Sequence, residues 1–200
     1  MPVDDRTHAP AGRLPLPTRE SLSPVAVPRG VAVPVLIDVL TYLHVLSAIG
    51  WLGGALLFLL VIGPLLPRFA PATRRELILS LLPRLASYLT MFGFATIVFG
   101  FALAGAVIYD GLDTFDPSQT WGLALTIGIL LALLAALEGG LLTRRRLLRL
   151  VAMSRDAPTR PDAVPNPEML VLMGRIRQGA VVTVALLLTA LGTMVAAAGA

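Results

Sequence analysis

Two residue types are missing from this 200-residue chain. It has no cysteine, which excludes disulfides, thiolate metal sites, cysteine-ligated iron–sulfur clusters and cysteine nucleophiles. It also has no lysine, because all sixteen of its basic residues are arginine. Schiff-base and lysine-base chemistry are therefore excluded as well. Charge is sparse, at 14% of residues, where a soluble domain carries about a quarter. Histidine occurs twice, as His8 and His44. There is no nucleotide-binding glycine loop, no H-E-x-x-H and no nucleophile-elbow serine.

What is abundant is apolar. Hydrophobic residues make up 56% of the chain and the mean hydropathy is +0.81. Composition thus points to a membrane protein whose apolar surface meets the lipid bilayer. The pI near 10.6 does not imply nucleic acid. The arginines cluster beside apolar runs, where the retention of positive charge on the cytoplasmic side already accounts for them.

Residues 1–32 are rich in proline, including Pro10, Pro15, Pro17, Pro24 and Pro28. They cannot bury enough apolar surface to fold and read as a disordered tail. They lack the apolar core of a signal peptide, and a start near Val31 or Val33 is a further expectation. Four apolar spans follow, over residues 34–66, 84–109, 117–143 and 178–198. Each reaches the roughly 20 residues that a helix needs to cross the hydrocarbon layer. The expected fold is an all-α, integral membrane, antiparallel four-helix bundle occupying residues 33–200.

Boundary signals support the spans. Thr73 and Glu76 have capping-box spacing, predicting a short interfacial helix that Pro83 bends into the second span. Asp116 and Asn166 each precede a proline, as helix caps do. Arg68, Arg74 and Arg75 lie between spans one and two. Arg144, Arg145, Arg146, Arg149, Arg155 and Arg160 lie between three and four, with Arg175 and Arg177 beyond. The remaining loop holds only Asp110, Asp113 and Asp116. Arginine-rich loops stay in the cytoplasm, so both termini are expected outside. Small residues recur along Gly93, Gly100 and Ala104, along Ala124, Gly128, Ala132, Ala136 and Gly140, and along Ala185, Thr189, Gly192 and Ala196. Such stripes let membrane helices approach closely.

The one histidine inside the apolar body is His44. An ionisable ring in lipid is costly unless it faces protein, water or a metal. Thr41, His44, Ser47, Ala48 and Trp51 share one helix face, and Gly53 with Gly54 thins the helix beside Trp51. Two readings stand side by side: a pin that bonds a neighbouring helix, and a ligand to a metal or haem. A proton relay is a third. At the height of His44, helix rise places Phe101, Thr126 and Met194. The Met194 thioether suits Cu(I), and His with Met is an axial pair for haem iron. A bis-histidine haem would need His44 from two copies, hence a homodimer. The second intramembrane charge, Glu138, is expected nearer the cytoplasm in a structural cluster with Arg84, Arg175 and Arg177. It should lie about 20 Å from His44 along the membrane normal, too far for an acid–base pair. Asp38, Asp110, Asp113 and Asp116 gather on the outer side, read as loop acids in water.

The segment from Leu43 to Gly54 resembles the first helix of the CopD-like small membrane proteins. That group comprises the copper-resistance D domain, uncharacterised relatives and the HemJ-type protoporphyrinogen oxidases. The shared pattern is a histidine, then a tryptophan, then a glycine pair, matched here by His44, Trp51, Gly53 and Gly54. The stretch from Pro64 to Arg68 is similar to the proline–arginine exit of HemJ-type proteins, and that from Gln178 to Ala196 to the last helix of the uncharacterised relatives. The resemblance implies a four-helix bundle that handles copper or haem, and the leading expectation is a CopD-like protein of the bacterial inner membrane that binds haem b or copper through His44. HemJ-type enzymes are expected to use a lysine, so the uncharacterised branch fits this lysine-free chain best. A scaffold or accessory subunit that uses no cofactor is the alternative, and a HemJ-type protoporphyrinogen oxidase is the third reading.

Overall fold

The structure is a computed structural model and describes residues 29–109, 116, 118–156 and 166–198. It contains four helices long and apolar enough to cross a membrane. Helix α1 begins at Arg29 and its apolar span covers Pro34–Arg68. Helix α2 spans Pro71–Tyr109, α3 spans Thr120–Arg155, and α4 spans Pro167–Ala198. The chain is an all-α membrane bundle. A helix satisfies every backbone polar group internally, which lipid requires. Hydroxyls inside the spans behave likewise: Ser47, Thr90, Thr96 and Thr126 each donate to the carbonyl four residues earlier.

The helices are longer than the expected spans. At 39 residues, α2 is about 58 Å long, nearly twice the hydrocarbon thickness. Pro83 lies inside it without ending it. A separate interfacial helix is thus replaced by one rod. Because α2 starts at Pro71, Thr73 sits within the helix and caps nothing. Likewise α3 continues past Thr143 to Arg155. Asn166 does cap α4, accepting the Glu168 N–H on Oδ1 at 2.9 Å. Asp116 instead closes a turn ahead of α3: its Oδ1 accepts the Ser118 N–H and hydroxyl at 2.9 and 2.7 Å. The tail expected at 1–32 is helical from Arg29, and its earlier residues, with Asp110 and Asp113, lie outside the described ones.

Packing is uneven along the bundle. The largest buried cluster is at the arginine-rich end, where Leu66, Ile78, Leu82, Leu147, Leu150, Val151, Leu172 and Ile176 meet. There Arg75 donates to the carbonyls of Ser154 and Arg155, and Arg149 pairs with Glu168. The helix ends projecting past the apolar layer therefore pack as a water-soluble core does. Within the spans, α1 runs along α2 and α3 along α4. A second cluster of Trp51, Ala135 and Leu187 joins the two pairs at mid-height.

Candidate functional site

His44 turns into the seam between α1 and α2. Its Nδ1 lies 2.9 Å from the carbonyl oxygen of Thr96. A carbonyl only accepts, so Nδ1 carries a proton and donates; in the neutral imidazole Nε2 is then the acceptor. The ring lies over Gly100, where a Cβ would stand 2.9 Å from Cε1 and 3.0 Å from Nδ1. Seven residues along α1, the buried Trp51 ring covers Gly93 in the same way, at 2.9 Å. As the α1 position rises by seven, its α2 partner falls by seven. This is antiparallel packing on a heptad, with two aromatic knobs from α1 in two glycine notches of α2. The converse contacts interleave: Phe92 sits on Gly50, and Tyr88 with Leu89 on Gly54. Gly53 meets nothing and faces outward. Of the glycine pair, then, Gly54 is a notch and Gly53 is not; Gly50, unremarked in the sequence, is the second notch.

The α3–α4 seam obeys the same rule. Met194 and Thr193 lie on Gly128, Thr183 on Gly139, and Thr143 on Gly179. The numbers again rise and fall in step. Here α3 supplies most notches and α4 most knobs. The stripe expected to pack on α4, of Ala185, Thr189, Gly192 and Ala196, is exposed; the buried face is Thr183, Val184, Leu187 and Ala190. Of the stripe expected on α3, Gly128 is buried, while Ala124, Ala132, Ala136 and Gly140 are half-buried.

Trp51 and Ala135 share the mid-height cluster. Counting back seven residues from each puts Gly128, with Met194 on it, level with His44. The height expected for Met194 is therefore right, but its side chain fills a notch in a different seam. Phe101 adjoins the Gly100 notch and is exposed. Among the described residues no group of three His, Asp or Glu side chains converges to hold a metal ion. His44 belongs to no such group among the described residues.

Glu138 lies about 15 Å from His44 along the bundle, being level with Gly54. It sits in a π-helical turn, Leu137–Thr143. Its Oε1 accepts from Arg146 Nη1 at 2.9 Å and from the Thr143 hydroxyl at 3.1 Å. All three polar groups crowd over Gly179, where a Cβ would stand 2.1 Å from Thr143 Oγ1 and 2.5 Å from Glu138 Oε1. The cation is Arg146 rather than any of the three arginines expected. Arg175 contributes only its backbone carbonyl to Arg146, at 3.5 Å; Arg84 and Arg177 are exposed. The extra turn of α3 beyond Thr143 brings Arg146 back over Glu138. Sequence spans that ended at Thr143 hid this partner.

Between Trp51 and this cluster lies a cavity of about 250 Å³. Trp51, Gly93, Gly140, Arg144 and Thr183 line it; His44, Gly53, Gly54 and Met194 do not. The Thr183 side chain is buried, and its hydroxyl alone among the described buried side-chain polar atoms has no hydrogen-bond partner. Nothing in the sequence separated Thr183 from the other threonines of the spans.

Comparison with known proteins gives no match to any family model, to any curated protein or to any solved structure.

Proposed function

We propose that this chain is a multi-pass scaffold or accessory subunit of the bacterial inner membrane, with both termini outside and the arginine-rich end in the cytoplasm. The observation that carries this reading is the His44–Thr96 bond. It commits the one intramembrane histidine to joining α1 and α2. Glu138 is committed within α3, to Thr143 and Arg146, and the cluster reaches α4 where it crowds over Gly179 and where Arg146 donates to the Arg175 carbonyl. Polar groups that hold helices together supply the directionality that apolar contact in lipid lacks. The arginine distribution supports the orientation. The outward stripe of Ala185, Thr189, Gly192 and Ala196 on α4 supports a further membrane helix, from a partner or a second copy, as what such a scaffold holds.

A second reading is favoured by one feature of the same bond. Metal-ligating histidines nearly always donate their other ring N–H to a carbonyl or carboxylate, as His44 does. Nε2 would then serve haem b or copper, with the missing donor coming from a second copy of the chain. The test is gentle purification from native membranes, with an absorption spectrum and metal analysis. A larger assembly that keeps its composition in His44→Phe supports the scaffold. A Soret band or stoichiometric copper that is lost in His44→Phe replaces it with the second reading.

A further inference from the structure

We propose that the cavity beneath Trp51 is a binding site for one anionic glycerophospholipid, its headgroup on Arg144, an ester carbonyl on Thr183 and an acyl chain running to Trp51. The mouth lies between α2 and α3. Thr90 and Phe94 on one side and Arg144 on the other are cavity-lining and exposed, so the opening faces the bilayer sideways. At about 250 Å³ the cavity exceeds the roughly 150 Å³ apolar cavity that accommodates benzene. An apolar space open to lipid fills with hydrocarbon, because water needs polar partners.

Three features occur in a fixed order with depth. Arg144 stands at the end where the other arginines lie, at the height of the headgroups. Thr183 pairs with Gly139, five residues or about 7 Å deeper. Its hydroxyl is a donor with no acceptor in the protein, although buried hydroxyls normally have one. Deeper still the walls are Trp51 and Gly93, and Trp51 is about 13 Å below Arg144, being level with Ala135. Anion, carbonyl and hydrocarbon follow in that order along a glycerophospholipid. A free fatty acid has no carbonyl beyond its headgroup, and a zwitterionic lipid gains less from a lone arginine.

The test uses the fluorescence of Trp51 in the full-length chain carrying Trp121→Phe, reconstituted in bilayers. Quenchers are phosphatidylglycerol, phosphatidylcholine and free fatty acid, each brominated on the acyl chain. Brominated phosphatidylglycerol is expected to half-quench Trp51 at about a fivefold lower mole fraction than phosphatidylcholine. Arg144→Gln should abolish that difference. Gly140→Leu should cut quenching by all three, because a side chain at Gly140 enters open space in the cavity. Equal quenching by the two phospholipids in the unsubstituted cavity overturns the proposal, as does fatty acid that matches phosphatidylglycerol. Should Gly140→Leu not fold, as read by circular dichroism, the Arg144→Gln comparison decides alone.

Discussion

Thr143 stands five residues after Glu138, yet its hydroxyl donates to Glu138 Oε1 at 3.1 Å. In an α-helix, five steps of about 100° put the two side chains on different faces. The π-helical turn Leu137–Thr143 bonds residue i to i+5 and brings them onto one face. The wide turn is thus what assembles the polar cluster over Gly179. Wide turns of this kind recur at functional sites, and Thr143 and Gly140 of this one also line the cavity.

The cluster makes Gly179 intolerant. Gly179→Ala would press a methyl into Thr143 Oγ1 and Glu138 Oε1, so it should lower the midpoint of thermal unfolding in detergent. Gly174→Ala on the same helix meets no neighbour and should raise stability by up to about 1 kcal/mol through helix propensity alone. Equal effects at the two positions would contradict the packing described.

The same opposition holds on the other side of the bundle. Gly100→Ala collides with the His44 ring, whereas Gly53→Ala meets open space. We expect the first to weaken α1–α2 packing, read as faster hydrogen exchange of both helices, and the second to leave it unchanged or slower.

For His44 itself, His44→Phe keeps a ring over Gly100 but removes the donor to Thr96. The expected loss is about 0.6 kcal/mol and no more than about 1.7, the mean and the maximum found for interhelical hydrogen bonds in a membrane protein. A loss several times larger would point to a ligand bound at Nε2.

The two ion pairs among the described residues should differ in weight. The Glu138 and Arg146 side chains are 16% and 32% exposed, against 54% and 68% for Glu168 and Arg149. Glu138→Gln leaves a half-sheltered guanidinium without its anion and should cost about 1–3 kcal/mol. Glu168→Gln should cost less than about 1 kcal/mol. Unfolding midpoints of the two variants in one detergent make the comparison.

Asp116 gives a pH signature. Hydrogen bonds from the Ser118 hydroxyl and backbone hold its carboxyl below the usual 3.8. A depressed folded value means that the turn's contribution is complete above the ordinary carboxylate range and fades as pH falls through the lower value. The Ser118 amide resonance should accordingly titrate with a midpoint below 3.8. A midpoint at or above it would mean the turn does not form in solution.

Some of this was legible in the chain before any coordinates. Gly93 and Gly100 repeat at the same seven-residue interval as His44 and Trp51, so the α1–α2 seam was written in two matching heptads. The α3 stripe located the notch at Gly128, but lower down the packed positions are Ala135 and Gly139, one residue before Ala136 and Gly140. On α4 the same logic failed, since Ala185, Thr189, Gly192 and Ala196 face outward. A stripe shows which side of a helix could accept a knob, and not whether a knob is there.

Sequence by itself determined that this chain lives in a bilayer as four helices. Apolar length and missing charge leave the hydrocarbon layer as the only favourable solvent, and in lipid only a helix satisfies each span's backbone. Tertiary structure alone decided what the ionisable groups touch. His44 found a backbone carbonyl of α2, which no side-chain pattern encodes. Glu138 found Arg146 because one π-helical turn rotates the rest of α3 beyond any 3.6-residue count. The unpartnered hydroxyl of Thr183 lines a cavity walled by all four helices, a juxtaposition that no single span encodes.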